Sequence, residues 1–169
     1  MIMSIKAALI SEFENRVFKE NYLRIFKCLS MLEEEQLWLS PKQKIAPIGN
    51  LILHLCGNAR QWVLSGVGEL PDNRDRDQEF EIQRNISKTQ LIFLMENLRL
   101  NLKYCLDDLN EKQLYEPKTI QGFESTNFSA IIHVIEHFSY HTGQITTLTK
   151  WITGKDTGYY SEFDLNVKN

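Results

Sequence analysis

The four histidines of this 169-residue sequence lie in two segments that have the residue pattern of helices. His54 is in the earlier segment, and His133, His137 and His141 are in the later one. Histidines spaced four apart on a helix are separated by a rise of about 6 Å and a turn of about 40°. Neighbouring members of this series can therefore share one metal ion through their imidazole nitrogens.

The helical wheel indicates which two of the three later histidines face inward. His133 and His141 lie about 12 Å apart along the axis and about 80° around it, too far for both to reach one ion. His141 is nearest the apolar stripe and His137 comes next, whereas His133 is farthest, on the side that carries Tyr140. The stripe consists of Ile131, Ile135, Phe138 and Ile145, with Val134 at its edge. We therefore predict His137 and His141 as metal ligands and His133 as a pocket-wall or surface residue.

A third ligand must come from another segment, and His54 flanks the apolar stripe of the earlier helix beside Leu51 and Asn58. Three imidazoles with open positions for water are typical of catalytic zinc sites, since structural zinc sites usually have four protein ligands. Nitrogen ligands alone do not select the metal, so zinc or nickel is expected first, with iron or manganese as alternatives. Cys56 is excluded as a ligand because, two residues after His54, it lies on the nearly opposite side of the helix.

Two other interpretations of the histidines stay open. They could be core or interface side chains satisfied by hydrogen bonds, or an intersubunit or pH-sensing cluster. Imidazoles at i and i+4 on an inward face lose hydration, and a metal ion would provide the partner that replaces it. The metal site is therefore the favoured interpretation.

Residues within about two turns of the histidine pair are candidates for contact with a substrate. The candidate catalytic residues are His133, Tyr140 and Gln144, the last with plain helix surface as its alternative. Glu136 has the type of a general base, yet it lies about 100° around the helix from His137, so a solvated position is expected. Trp62 is expected to pack in the core, although Trp62 or Arg60 could also wall the pocket.

Four amphipathic helices are expected to hold these side chains in place. Gly66 is placed as a left-handed cap of the second helix, and Ser87 and Gln90 match a capping box. Residues 66–80 are expected to form a surface loop, and no segment has strand periodicity long enough for a sheet. The first helix is expected from about residue 4 to residue 35, and the second from Pro47 to Gly66. The third is expected from Ser87 to Leu109, and the fourth from Thr126 or Asn127 to Gly154. The sequence thus predicts an all-α fold, an antiparallel four-helix bundle forming one domain over residues 1–169.

Composition excludes several classes of partner. The formal net charge is -3, and the basic residues form no stripe that could neutralise a run of phosphates, so nucleic acid is not an expected partner. Neither a signal peptide nor a membrane-spanning apolar run is present in the sequence, which favours a cytoplasmic protein without a membrane partner. The three cysteines, widely spaced and odd in number, are expected to be free thiols.

Two runs of residues carry a resemblance to a known family. They are His133-Val-Ile-Glu-His137-Phe-Ser-Tyr-His141-Thr-Gly143-Gln144 and Ile48-Gly49-Asn50-Leu-Ile-Leu-His54-Leu. Together they resemble the DinB-like superfamily, which includes YfiT-like proteins, and the resemblance covers nearly all of the chain. In that superfamily a histidine of the second helix joins an H-x-x-x-H pair of the fourth to bind a divalent metal. The resemblance implies these roles for His54, His137 and His141.

The resemblance also implies a class of function, because relatives include bacillithiol S-transferases and a mycothiol-dependent maleylpyruvate isomerase. It implies a metal-dependent thiol S-transferase or hydrolase acting on a small molecule, with a low-molecular-weight thiol as a second candidate cofactor. It carries over no substrate. The alternative is a non-catalytic binding module in which the metal is structural and the bundle dimerises through an exposed face. The expected oligomer is a homodimer.

Overall fold

The computed structural model of the protein describes residues 3–81 and 85–168. In this part of the chain, four long helices contain most of the residues, and the all-α class predicted from the sequence is confirmed. The antiparallel order of the helices stays a prediction.

The first long helix has three consecutive parts. An α-helical part, Ile5–Phe13, continues into a π-helical part, Glu14–Asn21, and then into a second α-helical part, Tyr22–Ser30. The expected end near residue 35 is wrong, because a separate 3₁₀ turn occupies Glu35–Trp38. The Glu33 amide donates to the Gln36 side chain at 2.8 Å, and this contact opens the new turn.

The second long helix begins after Pro47, as predicted, with an α-helical part, Ile48–Ala59, and a π-helical part, Arg60–Val67. Gly66 is not its left-handed cap, since the helix continues past it to Val67. A Cβ atom at Gly66 would lie 2.4 Å from Ile120 Cδ1. The glycine thus lets the Ile120 side chain pack closely against the helix, and it does not serve an unusual backbone angle.

The third and fourth long helices begin at the residues that the sequence indicates. Ser87 and Gln90 form the predicted capping box at the start of Lys88–Asp108. The Thr126 side chain caps Asn127–Thr153 by accepting from the Ser129 amide. This helix ends at Gly154, whose φ of 67° is left-handed.

A short β-hairpin connects these two helices, although no segment of the sequence has strand periodicity long enough to indicate a sheet. Its antiparallel strands are Pro117–Ile120 and Phe123–Thr126. The two turn residues, Gln121 and Gly122, both have positive φ, 53° and 80°, as a two-residue turn with the twist of a hairpin requires. Strands of four residues are too short for the alternation of side chains to stand out in the sequence.

One hydrophobic core receives side chains from all four long helices. Tyr22 of the first helix stacks on Phe138 of the fourth with ring centroids 5.6 Å apart. Its hydroxyl donates to the Met95 carbonyl of the third helix at 3.0 Å, and Leu55 of the second helix is fully buried in the same cluster. Among the described residues, no helix has both the length and the apolar character needed to cross a membrane.

Candidate metal centre

The fold brings together the three histidines that the sequence singled out as ligands. One imidazole nitrogen from each of His54, His137 and His141 lies within 4.8 Å of the others. The ring centroids of His54 are 4.9 Å from both His137 and His141, and those of His137 and His141 are 4.4 Å apart. Residues 83 positions apart in the chain thus meet where the second and fourth helices pack together.

The separation of these nitrogens fits a divalent metal ion. Imidazole nitrogens bind zinc at about 2.0–2.1 Å, so two of them at a tetrahedral angle lie about 3.3 Å apart. The Nε2 atoms of His54 and His137 are 3.1 Å apart. Two imidazoles can approach this closely through a hydrogen bond alone. The third ring, which also has a nitrogen within 4.8 Å of the other two, makes this a group that could hold an ion.

His54 is oriented by a carboxylate on its far side. Its Nδ1 lies 2.8 Å from Glu79 Oε2, and 3.2 Å from Arg74 Nη2. The contact with Glu79 is the shorter one, and its carboxylate can only accept a hydrogen bond, so we assign the ring proton to Nδ1. The Nε2 lone pair of His54 then faces the other two histidines, as a metal ligand requires.

The carboxylate is itself held by a buried ion pair. Arg74 donates to both oxygens of Glu79, from Nε at 2.6 Å and from Nη2 at 2.8 Å. Burial alone would raise the pKa of Glu79, but the hydrogen bonds from Arg74 and His54 outweigh it and lower the pKa below its usual 4.5. Glu79 is therefore ionised at neutral pH and favours a proton on His54 Nδ1.

Glu79 and Arg74 were missed as site residues, because the sequence indicated only a surface loop for residues 66–80. The loop is instead fastened to the second helix: Arg74 Nη1 donates to Gln61 Oε1 at 2.8 Å, and Asn50 Nδ2 donates to the Glu79 carbonyl at 2.7 Å. The turn-forming residues and alternating charges did not predict these contacts, since the same residues are typical of a loop that contacts nothing. The one available signal was the presence of acidic and basic side chains close in sequence.

Gly57 makes room for the Glu79 carboxylate. A Cβ atom at Gly57 would lie 1.8 Å from Glu79 Oε1 and 2.7 Å from its Cδ. Gly57 is one turn after His54 on the second helix, so the space left by its missing side chain is next to the histidine. The absence of a side chain at this position is therefore part of how the site is built.

His141 is oriented by a neighbour on its own helix. Its Nδ1 lies 2.7 Å from Gln144 Oε1, which can only accept, so the ring proton is on Nδ1 and Nε2 is free to bind a metal. Gln144 Nε2 in turn lies 3.4 Å from the Tyr140 hydroxyl, and the Tyr140 ring meets His141 edge-on at 4.9 Å. Gln144 and Tyr140 are thus next to the histidine cluster, where the sequence placed them as candidates.

Burial favours the neutral form of the His137 and His141 rings. Burial first, and then the neighbouring His141, His54 and His133, lower the pKa of His137 from 6.5 to about 3. Burial likewise lowers the pKa of His141, against an opposing hydrogen bond to Gln144. Neutral imidazole is the form that binds metal ions, so the lowered pKa values of His137 and His141 favour their role as ligands.

His133 does not join the cluster. Its ring stacks on buried Trp62 with centroids 3.9 Å apart, and Asn58 Nδ2 donates to its Nε2 at 3.2 Å. Tyr140, which shares its side of the helical wheel, is two turns further along, about 10 Å away on the axis. The two candidates therefore lie at different ends of the site.

Four other side chains that the sequence singled out lie outside the histidine group. Glu136 is exposed, as expected, and Trp62 is buried. Arg60 lines a separate cavity beside the third helix, so it does not wall the histidine site. Cys56 is buried outside the histidine group, and burial raises the pKa of its thiol to about 12.

A groove of about 700 Å³ opens beside the histidine cluster. We call it the histidine groove. Its size is that of typical small-molecule sites. Its lining includes Tyr140, His141 and Gln144 of the fourth helix, Phe80 of the loop, and Lys44 and Ile45 of the connection before the second helix. Of the three clustered histidines, His141 lines the groove directly, and the Phe80 ring of the lining packs on His54 with centroids 4.9 Å apart.

Comparison with known proteins assigns the chain to a family. A family model described as a protein of unknown function, DUF1572, matches residues 8–161. The chain belongs to this family. The match includes all three clustered histidines and the loop that carries Arg74 and Glu79. No curated protein matches the sequence.

Two solved structures share the fold of this DUF1572 protein. A DinB-like protein from Bacillus cereus is 20% identical, with a TM-score of 0.67 over 90% of this chain and 95% of that one. A conserved protein from Enterococcus faecalis is 16% identical, with a TM-score of 0.70 over 91% of this chain and 100% of that one. These likenesses show that the chain has the fold of a DinB-like protein, which is the fold that the resemblance seen in the sequence implies.

Proposed function

We propose that this DUF1572 protein binds one divalent metal ion through His54, His137 and His141 and acts as a metal-dependent enzyme. The observation that carries the proposal is the convergence of three imidazoles, with one nitrogen from each within 4.8 Å of the others. In two of them a hydrogen bond at Nδ1 leaves Nε2 facing inward. Zinc and nickel are the first candidates, and iron follows, because imidazole ligands suit all three; manganese, which prefers oxygen ligands, comes last.

The reaction class we propose is thiol S-transfer or hydrolysis of a small molecule. When bound, a divalent ion supplies Lewis acidity that lowers the pKa of a water or thiol ligand. The chain provides the rest: Glu79 and Gln144 orient two histidines, and the histidine groove receives the substrate. Tyr140, whose hydroxyl lies next to Gln144, is the side chain placed to donate a hydrogen bond to a bound substrate.

Metal titration of the purified protein tests the first step. We expect one zinc or cobalt ion per chain, and a cobalt absorption spectrum of nitrogen ligands without thiolate, because Cys56 lies outside the group. Calorimetry and absorption spectroscopy measure both. A stoichiometry near zero, or a sulfur-to-cobalt band in the absence of added thiol, would contradict the proposed ligands.

An activity screen tests the second step. Metal-loaded and chelated protein would be assayed with low-molecular-weight thiols and electrophilic acceptors, and separately with esters and amides. We expect turnover that depends on the metal in one of these sets. Metal binding without turnover in any of them would favour the alternative, a binding module whose ion is structural.

One observation supports the alternative, a binding module that dimerises through an exposed face. The third helix exposes an apolar stripe of Phe93, Leu100 and Tyr104, which are 72%, 48% and 73% exposed. Their spacing places them on one face, and a face of this kind can pair two copies of a chain. Light scattering with and without chelator measures whether the proposed homodimer forms and whether it needs the ion.

Replacing Glu79 with glutamine should weaken metal binding by about 10- to 100-fold, the usual effect of losing a partner of a metal ligand. The amide has no charge to favour the proton on His54 Nδ1, and Arg74 loses its counter-ion. Competition with a chelator measures the affinity. Glu69→Gln is the matched control, because Glu69 is an exposed acid that, within the described part of the chain, pairs only with Lys118, so its loss should leave the affinity unchanged. Equal affinities for both variants would show that Glu79 does not orient His54.

A further inference from the structure

The histidine groove is mostly apolar but contains one cation. Ile45, Leu51, Phe80 and Leu148 supply apolar lining, and Lys44 is the only Lys, Arg, Asp or Glu among the described residues that line it. A substrate that fills this groove would bury apolar surface against these side chains, which favours an apolar or aromatic body.

The Lys44 ammonium group has no partner in the described part of the chain. It forms no ion pair or hydrogen bond with any described residue, unlike Lys118 or Lys150, which pair with carboxylates. Arg76, a described cation near the groove, lies over the Phe80 ring at 5.1 Å. Among the described residues that line the groove, Lys44 is therefore the one cation, and it has no partner.

The backbone holds Lys44 in an unusual conformation. Its φ is 72°, in the left-handed region that residues with a side chain seldom adopt. The turn is closed by the Ile45 amide, which donates to the Lys42 carbonyl at 3.1 Å. The Ser40 hydroxyl, 2.6 Å from the carbonyl oxygens of Lys42 and Ile45, can donate to either. These contacts offset the strain at Lys44 and keep the residue at the groove.

We propose that the histidine groove binds an amphipathic anion, with an apolar or aromatic body in the groove and a carboxylate on Lys44. One lysine without an arginine matches the single charge of a carboxylate, since phosphate groups are usually met by bidentate arginine or several donors. This substrate class depends on the proposed function, because the reacting end of the molecule would lie at the histidines. It adds a specificity residue that belongs to neither the histidine cluster nor its hydrogen-bond partners.

Calorimetry with two probes of the same shape tests the assignment. The probes are 3-phenylpropanoate and its uncharged amide, titrated into zinc-loaded and into metal-free protein. We expect the carboxylate to bind about five-fold more tightly than the amide, the effect of a partly exposed charge pair. Lys44→Met should abolish this preference in both forms of the protein, and Lys44→Arg should retain it. Lys42→Met, an exposed lysine of the same turn outside the groove, should behave as wild type.

Three results would overturn the assignment. They are no binding of either probe, equal affinity of wild type for both, and a carboxylate preference that survives Lys44→Met. If the preference survives only in the zinc-loaded form, the ion and not Lys44 recognises the charge. Failure of the metal site itself is seen separately, as absence of zinc binding, and leaves the Lys44-dependent preference of the metal-free protein as expected.

Discussion

His137→Ala should reduce metal affinity by more than about 100-fold, since even the loss of a ligand's hydrogen-bond partner costs roughly 10- to 100-fold. His137 is close to both other histidines: its Nε2 is 3.1 Å from His54 Nε2, and its ring centroid is 4.4 Å from that of His141. Its removal leaves two imidazoles from different helices, which hold an ion weakly. Metal content after dialysis and competition with a chelator measure the loss.

His133→Ala is the matched control for this prediction. It removes the same side chain one turn earlier on the same helix, where the ring stacks on Trp62 at 3.9 Å and on His137 at 5.4 Å but belongs outside the ligand group. We expect one ion per chain with affinity within about three-fold of wild type, because His133 supplies no ligand nitrogen and its loss acts only through packing against His137. If both variants lose the metal alike, or both retain it, the assignment of His137 as a ligand is wrong.

Gly57→Ala should disturb both stability and metal binding, although alanine is the better helix former. The new methyl group would lie 1.8 Å from Glu79 Oε1, so the carboxylate must move away from His54 and Arg74. We expect unfolding to become easier by about 1–3 kcal/mol, the usual cost of overpacking. Metal affinity should fall by about 10- to 100-fold, as for Glu79→Gln. Denaturant titration and chelator competition measure the two effects.

Gly143→Ala separates the steric effect from helix propensity. Gly143 is also inside a helix, but nothing lies within 4 Å of a Cβ atom added there. Alanine at this position should raise the free energy of unfolding by about 0.5–1 kcal/mol. If Gly57→Ala stabilises the protein to the same degree without weakening metal binding, the Glu79 carboxylate is not held where the structure places it.

Local sequence determined where the helices begin and which faces they bury. Pro47, the Ser87–Gln90 capping box and Thr126 mark three helix starts because each acts through its own backbone neighbours. The pairing of His137 with His141 could be predicted for the same reason, since both lie on one helix face with fixed spacing. His54 was identified by being the one histidine left on another apolar face.

Prediction failed where a residue acts through a distant part of the chain. Gly66 resembled a cap, yet its role is to accommodate Ile120 of a hairpin that begins about 50 residues later. The π-helical parts of the first two helices left no mark that the apolar spacing could reveal. Such features depend on which side chain of another segment packs against the helix. The periodicity within one segment carries no information about that.

The sequence by itself determined the four helices, the inward pair His137 and His141, and His54 as their candidate partner, since helical geometry fixes which side chains share a face. Tertiary structure alone decided that the loop carrying Glu79 returns to His54 and that Gly57 leaves space for it. It also placed Lys44 beside His141 in one groove, 97 positions away in the chain. The physical reason is that the backbone determines local spacing, whereas contacts between loops and helices depend on how the whole core packs.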